Sequence, residues 1–310
     1  MKLAGTLLAL GVLALPVGLQ AQGTGTPYVP LDDRVVHTDT DAYRDLTSVH
    51  QGAGSMKFAQ LLGANALSTN FMFLHRGEIA PKSGIGQHFH HECEEMFVIL
   101  DGEAEFTVDG RTSRIQGPAG VPDKMGSSHA IYNPTDKPLQ WLNINVGMHK
   151  RYDAFDLGDS RVGVPLDPVP QFVNFKLDKS LLRPVEGRQG GTGTVQYRRA
   201  LDPAVFSTSW AYVDHLVIPP GASVGPVSDA SISEVYYVIS GDGSFSVGPE
   251  TVSIKTGDAI PVDLNQVRSI KGGNAPLEFL VIGVARDLET KAAWQTAQAQ
   301  AQAAQREARR

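Results

Sequence analysis

Three histidines and one glutamate in the first half of the sequence have the types and spacing of metal ligands. His88 and His90 are two positions apart, so both imidazoles project from one face of a β-strand. Glu95 follows five positions after His90, and this odd separation predicts a bend near residues 91–93. His129, in a later β segment, supplies a third imidazole. This set suits one divalent transition metal per chain (Mn, Fe, Cu, Ni, Co or Zn), with open positions for a substrate or O₂.

Residues beside these ligands are candidates for catalysis. Of two adjacent glutamates, Glu95 is predicted to be the ligand and a catalytic carboxylate, because it aligns with Glu234 of an internal repeat. Glu94 is then expected beside the ligands or at the surface. Glu94 and Tyr132 are candidate acid/base groups, and Arg76 is a candidate polar group.

Other residues near the ligands are predicted to have packing roles. Cys93 is interpreted as a small residue in the bend rather than a thiolate ligand. The apolar walls of a substrate cavity are predicted to include Phe97, Ile99, Phe106 and Ile131. The histidines outside the ligand pattern are interpreted as structural: His37, His50, His75, His149 and His215.

The elements that carry these residues are short β segments separated by glycine-rich turns. Segments such as 97–100, 141–146 and 235–239 are rich in β-branched and aromatic residues. Regularly spaced short strands predict an all-β sandwich or barrel. Helix is expected mainly in the tail at 288–310, a run of Ala, Gln, Glu and Arg.

An internal repeat divides the chain into two copies of one strand-rich module. Residues 95–108 resemble residues 234–247, which lie 139 positions later. The predicted organisation is a signal peptide, a first barrel with the metal site, a linker, a second barrel and a helical tail, at residues 1–21, 22–148, 149–193, 194–287 and 288–310.

The second copy is predicted to have lost the metal site. In the second copy, Val227 and Asp229 are aligned with His88 and His90, and Gln266 is aligned with His129. Glu234, the counterpart of Glu95, therefore has no imidazoles beside it. One metal per chain is therefore expected, and the second barrel is assigned to packing, dimerisation or ligand recognition.

Composition and the first residues indicate which partners to expect. The chain has 310 residues and a formal net charge of −6, so a nucleic acid partner is not expected. A positive start and an apolar run interrupted by Pro16 predict a signal peptide at 1–21 and export to the periplasm or outside the cell. No membrane span is expected after cleavage, and the single cysteine, Cys93, allows no internal disulfide.

The ordered motifs resemble those of the cupin superfamily. The first cupin motif is matched by His88, His90, Glu95 and Gly102, and the second by Gly126, His129 and Asn133. Two departures are Lys82 in place of the leading glycine and Lys124 in place of the usual proline. The resemblance implies two tandem jelly-roll barrels, a bicupin, and a homodimer is in keeping with the family's pairing of barrels.

The resemblance leaves several functions open. The preferred hypothesis is an exported metal-dependent oxidoreductase of dioxygenase type, acting on a small oxygen-rich or aromatic compound. The alternatives are a redox-neutral lyase, decarboxylase or isomerase acting on a carboxylate or sugar-derived substrate, and a metal-dependent binding protein without catalysis.

Overall fold

The structure, a computed structural model, describes residues 29–308. It is built almost entirely from β-strands, and the prediction of an all-β protein with two jelly-roll barrels and a C-terminal helix is confirmed. The predicted signal peptide lies outside the described residues. Two α-helices are present in the described range, α1 (Leu31–Arg34) and α2 (Leu288–Ala308). Neither has the length and apolar character needed to cross a membrane.

The first barrel is formed by two antiparallel sheets. The seven-stranded sheet has the order β1-β2-β3-β10-β5-β8-β12, and the five-stranded sheet has the order β11-β4-β9-β6-β7. The strands are β1 (Arg44–Thr47), β2 (Ser55–Leu62), β3 (Phe71–Ile79), β4 (Gly84–Phe89), β5 (Cys93–Ile99), β6 (Glu103–Val108), β7 (Arg111–Gln116), β8 (Ala119–Asp123), β9 (Ser128–Tyr132), β10 (Leu139–Gly147), β11 (Phe155–Asp159) and β12 (Phe175–Lys176).

The second barrel repeats this arrangement with fewer strands. Its sheets have the orders β13-β14-β15-β22-β17-β20 and β16-β21-β18-β19. The strands are β13 (Arg183–Glu186), β14 (Thr194–Leu201), β15 (Trp210–Ile218), β16 (Ser223–Val227), β17 (Ile232–Ser240), β18 (Asp242–Val247), β19 (Glu250–Lys255), β20 (Ala259–Val262), β21 (Arg268–Gly272) and β22 (Leu277–Ala285).

The larger sheets of the two barrels pack against each other. On β5, Met96 and Val98 belong to an apolar cluster that also contains Val235 and Ile282 of the second barrel. The intervening residue Phe97 faces the interior of the first barrel. Alternate residues of a strand point to opposite sides, so β5 is apolar from Met96 to Ile99 because both of its faces are covered.

The bend predicted before Glu95 is a crossing between sheets. β4 belongs to the five-stranded sheet and β5 to the seven-stranded sheet, and residues 90–92 connect them. The backbone N–H groups of His91 and Glu92 donate to the Asp153 carboxylate at 2.8 and 3.2 Å, which fixes the connection. The crossing brings the carboxylate of Glu95 together with the imidazoles of His88 and His90 inside the barrel.

Segments outside the two repeats also join the barrels. Leu31 of α1 is fully buried in the core of the second barrel, and Val36 forms a β-bridge with Ala259 before the chain enters β1 of the first barrel. Within the segment predicted as a linker, β11 and β12 pair with strands of the first barrel and β13 pairs with β14 of the second.

Candidate metal centre

Four side chains converge inside the first barrel. The Glu95 Oε2 atom lies 3.5 Å from His88 Nε2, 3.6 Å from His90 Nε2 and 3.3 Å from His129 Nε2. The His129 Nε2 atom lies 3.0 Å from His88 Nε2 and 3.3 Å from His90 Nε2. All four side chains are at least 97% buried.

These separations fit a common metal ion. Ligand atoms held at about 2.1 Å from one ion, at tetrahedral or right angles, lie about 3.0 to 3.4 Å apart. A borderline divalent metal favours a mixed set of imidazole and carboxylate ligands. The four residues predicted from the sequence therefore form a buried metal site in the first barrel.

Backbone contacts orient two of the imidazoles. His88 Nδ1 lies 2.9 Å from the carbonyl oxygen of Gly86, and His90 Nδ1 lies 2.5 Å from that of Asp153. A carbonyl oxygen can only accept, so Nδ1 carries the proton in each ring and the Nε2 lone pair is available to a metal. His129 follows a turn at Gly126, whose φ of +79° favours glycine.

The electrostatics of the cluster favour an ionised carboxylate. Burial would raise the pKa of Glu95, but hydrogen bonds from His129, His88 and His90 hold it well below its usual range. Burial, together with the neighbouring His88, lowers the pKa of His129 to about 3. Burial would lower the pKa of His90 too, yet the Cys93 and Glu95 side chains raise it to about 11. An ionised Glu95 and a neutral His129 are the forms that bind a cation, whereas a metal that binds His90 must displace the proton of its Nε2 atom.

A second layer of polar groups surrounds the ligands. Asn145 donates through Nδ2 to the Cys93 sulfur at 3.3 Å and to Glu95 Oε1 at 3.4 Å. Both carboxylate oxygens of Asp123 are buried without a hydrogen-bond partner, and Oδ2 lies 3.9 Å from His129 Nδ1. Burial raises the pKa of Asp123 to about 9. Cys93 is buried at the start of β5, in the bend where the sequence placed it.

A cavity of about 360 Å³ opens beside the metal site, with Glu95 in its lining. Much of its wall is apolar, and the residues of this wall are Leu46, Val49, Met56, Phe58, Phe73, Ile85, Phe97 and Trp141. Of the predicted wall residues, Phe97 lines the cavity, whereas Ile99, Phe106 and Ile131 are core residues that do not contribute to its lining.

The cavity lining also contains polar residues other than the ligand Glu95. The Trp141 indole N–H and the Asn143 side-chain oxygen are buried without a hydrogen-bond partner, two positions apart on β10. His75 is stacked on Phe73 with a ring separation of 4.0 Å, and burial lowers its pKa to about 4. Of the described residues that line the cavity, none is a lysine or an arginine. Beside the ligand Glu95, the described lining therefore contributes polar side chains but no fixed positive charge.

Two histidines interpreted as structural line this cavity. His75 is on β3, and His50 stacks on the ligand His88 with a ring separation of 3.8 Å. His50 Nδ1 also lies 2.6 Å from Asp156 Oδ1, and its Nε2 lies 3.5 Å from the Tyr152 hydroxyl. Neither histidine is part of a ligand-like spacing in the sequence, so the spacing alone missed them.

The structure does not bring the other candidate catalytic groups to the cavity. Glu94 points to the opposite side of β5, where its carboxylate accepts from the backbone N–H groups of Ser207 and Thr208 at 2.7 and 2.9 Å. Tyr132 is buried on β9 but does not line the cavity. Arg76 donates to the Tyr237 hydroxyl at 3.1 Å, which joins the barrels.

The second barrel has an arginine in place of the third histidine. In the first barrel His88 pairs with His129, and in the second barrel Val227 pairs with Arg268. Arg268 lies 139 positions after His129, the same separation as between the two repeats. The assignment of Gln266 to this position is therefore wrong by two residues. Arg268 forms an ion pair with Glu234, so a guanidinium interacts with the carboxylate that corresponds to Glu95.

Comparisons with known proteins agree with this architecture. Residues 75–145 match the family described as Cupin domain. A stretch of 99 residues, 32% of this chain, is 31% identical to the oxalate-binding protein of Thermotoga maritima and covers 82% of that protein. The structure is that of a metal-binding protein with two β-barrels. The chain belongs to the cupin superfamily.

Solved structures with the same fold include two oxalate decarboxylases. The enzyme from Bacillus subtilis, which has Mn(II) centres, is 18% identical with a TM-score of 0.56, covering 86% of this chain and 79% of that chain. The enzyme from Lactobacillus farciminis, solved as a formate complex, is 15% identical with a TM-score of 0.59, covering 85% of this chain and 87% of that chain. These similarities establish a bicupin fold.

Proposed function

We propose that the protein is a metal-dependent dioxygenase that acts on a small aromatic compound carrying hydroxyl or carbonyl groups. The observation that carries this proposal is the cavity beside the metal site. Its largely aromatic wall beside the ligand Glu95, with His75 and Asn143 as polar lining residues, matches a flat ligand with oxygen substituents. The described cavity lining has no lysine or arginine, so none of these residues would add a fixed positive charge to that of the metal for a dianionic substrate.

The roles of the residues follow from their positions. A divalent metal held by His88, His90, Glu95 and His129 would supply Lewis acidity and electron transfer to O₂. His75 and Asn143, polar residues of the cavity lining, would orient the oxygen substituents of the substrate. Both atoms of O₂ enter the substrate in such a reaction, so no external reductant is required.

The second candidate is a redox-neutral lyase that acts on a carboxylate. It is favoured by the similarity to proteins named for oxalate binding and oxalate decarboxylation. The two candidates differ in oxygen use, because a dioxygenase consumes one O₂ per turnover and a decarboxylase releases CO₂ without net consumption.

Metal analysis and oxygen uptake test the proposal together. We expect about one transition metal per chain and O₂ uptake with flavonols, catechols or diketones, but not with oxalate. His129→Ala should lose both the metal and the uptake, since it removes a ligand. The control Gln266→Ala should keep both, because Gln266 contacts Arg34 and Asp263 of the second barrel region. Release of CO₂ from oxalate without O₂ uptake would instead support the lyase.

We also propose that the protein is exported, on the basis of the positive start and apolar run at residues 1–21. N-terminal sequencing of protein recovered from the periplasm or medium tests this. A mature chain that begins near Gln22 is the expected result, and recovery of uncleaved protein from the cytoplasm would contradict it.

A further inference from the structure

The second barrel contains a polar cavity of about 450 Å³ that the proposed function does not use. It lies on the side where the first barrel carries its metal ligands, because Arg268 and Glu234 correspond to His129 and Glu95. A metal is not expected there, since valine and arginine occupy positions that would have to be ligands.

The floor of this cavity is a fixed hydrogen-bonded network. Glu234 pairs with Arg268 and accepts hydrogen bonds from the hydroxyls of Tyr212 and Tyr236 at 2.6 and 2.8 Å. Arg268 also donates to the Tyr236 hydroxyl at 2.5 Å. Both charged side chains are more than 90% buried, so their positions are set before any ligand arrives.

A second ion pair forms one wall. Arg199 donates to Asp214 at 2.7 and 3.3 Å, and the Tyr197 hydroxyl donates to the same carboxylate at 3.0 Å. The Arg199 guanidinium lies 4.1 Å from the ring centre of Tyr212 and 5.0 Å from that of Trp294 in α2. Aromatic planes and charged groups therefore alternate around the cavity.

The charges that line the cavity nearly balance. The described lining contains three arginines, Arg188, Arg199 and Arg268, and four carboxylates, Asp202, Asp214, Asp229 and Glu234. Arg199 and Arg268 are already paired with carboxylates. Arg188 stacks on Tyr197 at 3.5 Å and lies 4.0 Å from Asp214. This balance gives no net attraction for an anion, and it offers strong donors beside strong acceptors.

We propose that this cavity binds a neutral polyhydroxylated molecule, a sugar or cyclitol of one or two rings. A hydroxyl group donates one hydrogen bond and accepts others, so it matches adjacent guanidinium and carboxylate groups. The half-buried ring of Trp294 suits the C–H face of a sugar ring. The volume lies in the range of small-molecule sites.

The test is titration of the full chain with glucose, cellobiose and myo-inositol, followed by calorimetry and tryptophan fluorescence. At least one of these probes should bind with a Kd of about 1 mM or tighter and change the Trp294 emission. Arg188→Ala should weaken that binding by about tenfold or more. Arg183→Ala, an exposed arginine of β13 outside the cavity lining, is the matched control and should bind normally.

A milder variant and two anionic probes complete the experiment. Asp202→Asn changes an exposed lining carboxylate and should also weaken binding if Arg188→Ala proves unstable. Binding of inorganic phosphate or galacturonate without binding of the neutral probes would overturn the proposal, as would no binding of any neutral probe. Metal content and O₂ uptake serve as separate readouts, so failure here leaves the proposed function of the first barrel unaffected.

Discussion

At the residue scale, two neighbouring glutamates are predicted to have separate roles. Glu95→Gln removes the carboxylate ligand and should reduce the metal content to well below one per chain. Glu94→Gln should retain the metal but lower the free energy of unfolding by about 2 kcal/mol, because charged hydrogen bonds to Ser207 and Thr208 are lost. Metal analysis and urea unfolding of both variants check this. Loss of metal in Glu94→Gln at unchanged stability would contradict it.

The metal ligands could be predicted from the sequence because a strand repeats every two residues. His88 and His90 had to share a face, and the parity of Glu95 required the crossing between sheets. His50 could not be found in this way, since it lies 38 positions before His88 and only the folded barrel stacks the two rings. Asn143 could have been proposed as a cavity residue, because it is a polar residue in an otherwise mostly apolar β segment. Arg268 could have been found by applying the repeat separation consistently.

At the element scale, strand β22 contains a carboxylate whose ionisation supports the second barrel. Glu278 is nearly buried and accepts from His215 and Lys179 at 2.8 Å and from Ser240 at 2.7 Å. Burial would raise its pKa, but these hydrogen bonds lower it from 4.5 to about 2. A depressed folded-state pKa stabilises the protein above pH 4.5, and this contribution is lost as the pH falls towards 2.

Glu278→Gln should therefore flatten the acid part of the stability profile. The variant should lose about 2 kcal/mol at pH 7, and its remaining stability should fall less steeply below pH 4.5. Urea unfolding across this pH range measures the effect. The matched control is Glu186→Gln, at an exposed position of β13, and its profile should follow that of the unmodified chain. Parallel profiles for the Glu278 variant and the unmodified protein would argue against the linkage.

The strands themselves were predictable to different degrees. Central strands such as β17 could be predicted, because runs of β-branched and aromatic residues between turn residues distinguish them in the sequence. β11 and β12 were missed because they lie in a region rich in proline and charge, where only pairing with β4 and β8 makes them strands. Edge strands of this kind depend on their partner for extended structure, which no local pattern records.

At the scale of the whole molecule, an apolar cluster between the larger sheets joins two barrels that each have a core of their own. Leu142 and Ile144 of the first barrel and Val213 and Leu280 of the second belong to a single buried cluster. The segment at residues 31–36 also links the barrels, because it packs on the second barrel and the chain then continues into β1 of the first. Separating the barrels would expose this apolar surface to water, so unfolding of one barrel alone is unfavourable.

Removal of the metal should therefore destabilise both barrels together. A ligand that binds only the folded state stabilises it by about 2.7 kcal/mol at a hundredfold excess over Kd, and the apolar cluster between the larger sheets couples the second barrel to this effect. In calorimetry, a chelator should lower the temperature of one cooperative transition by several degrees, with calorimetric and van't Hoff enthalpies equal. Trp141→Phe leaves Trp210 and Trp294, both in the second-barrel half, so fluorescence should report the same shift. The barrels would unfold independently if calorimetry showed two transitions and the chelator lowered the temperature of only one, the one that the fluorescence of Trp210 and Trp294 does not report.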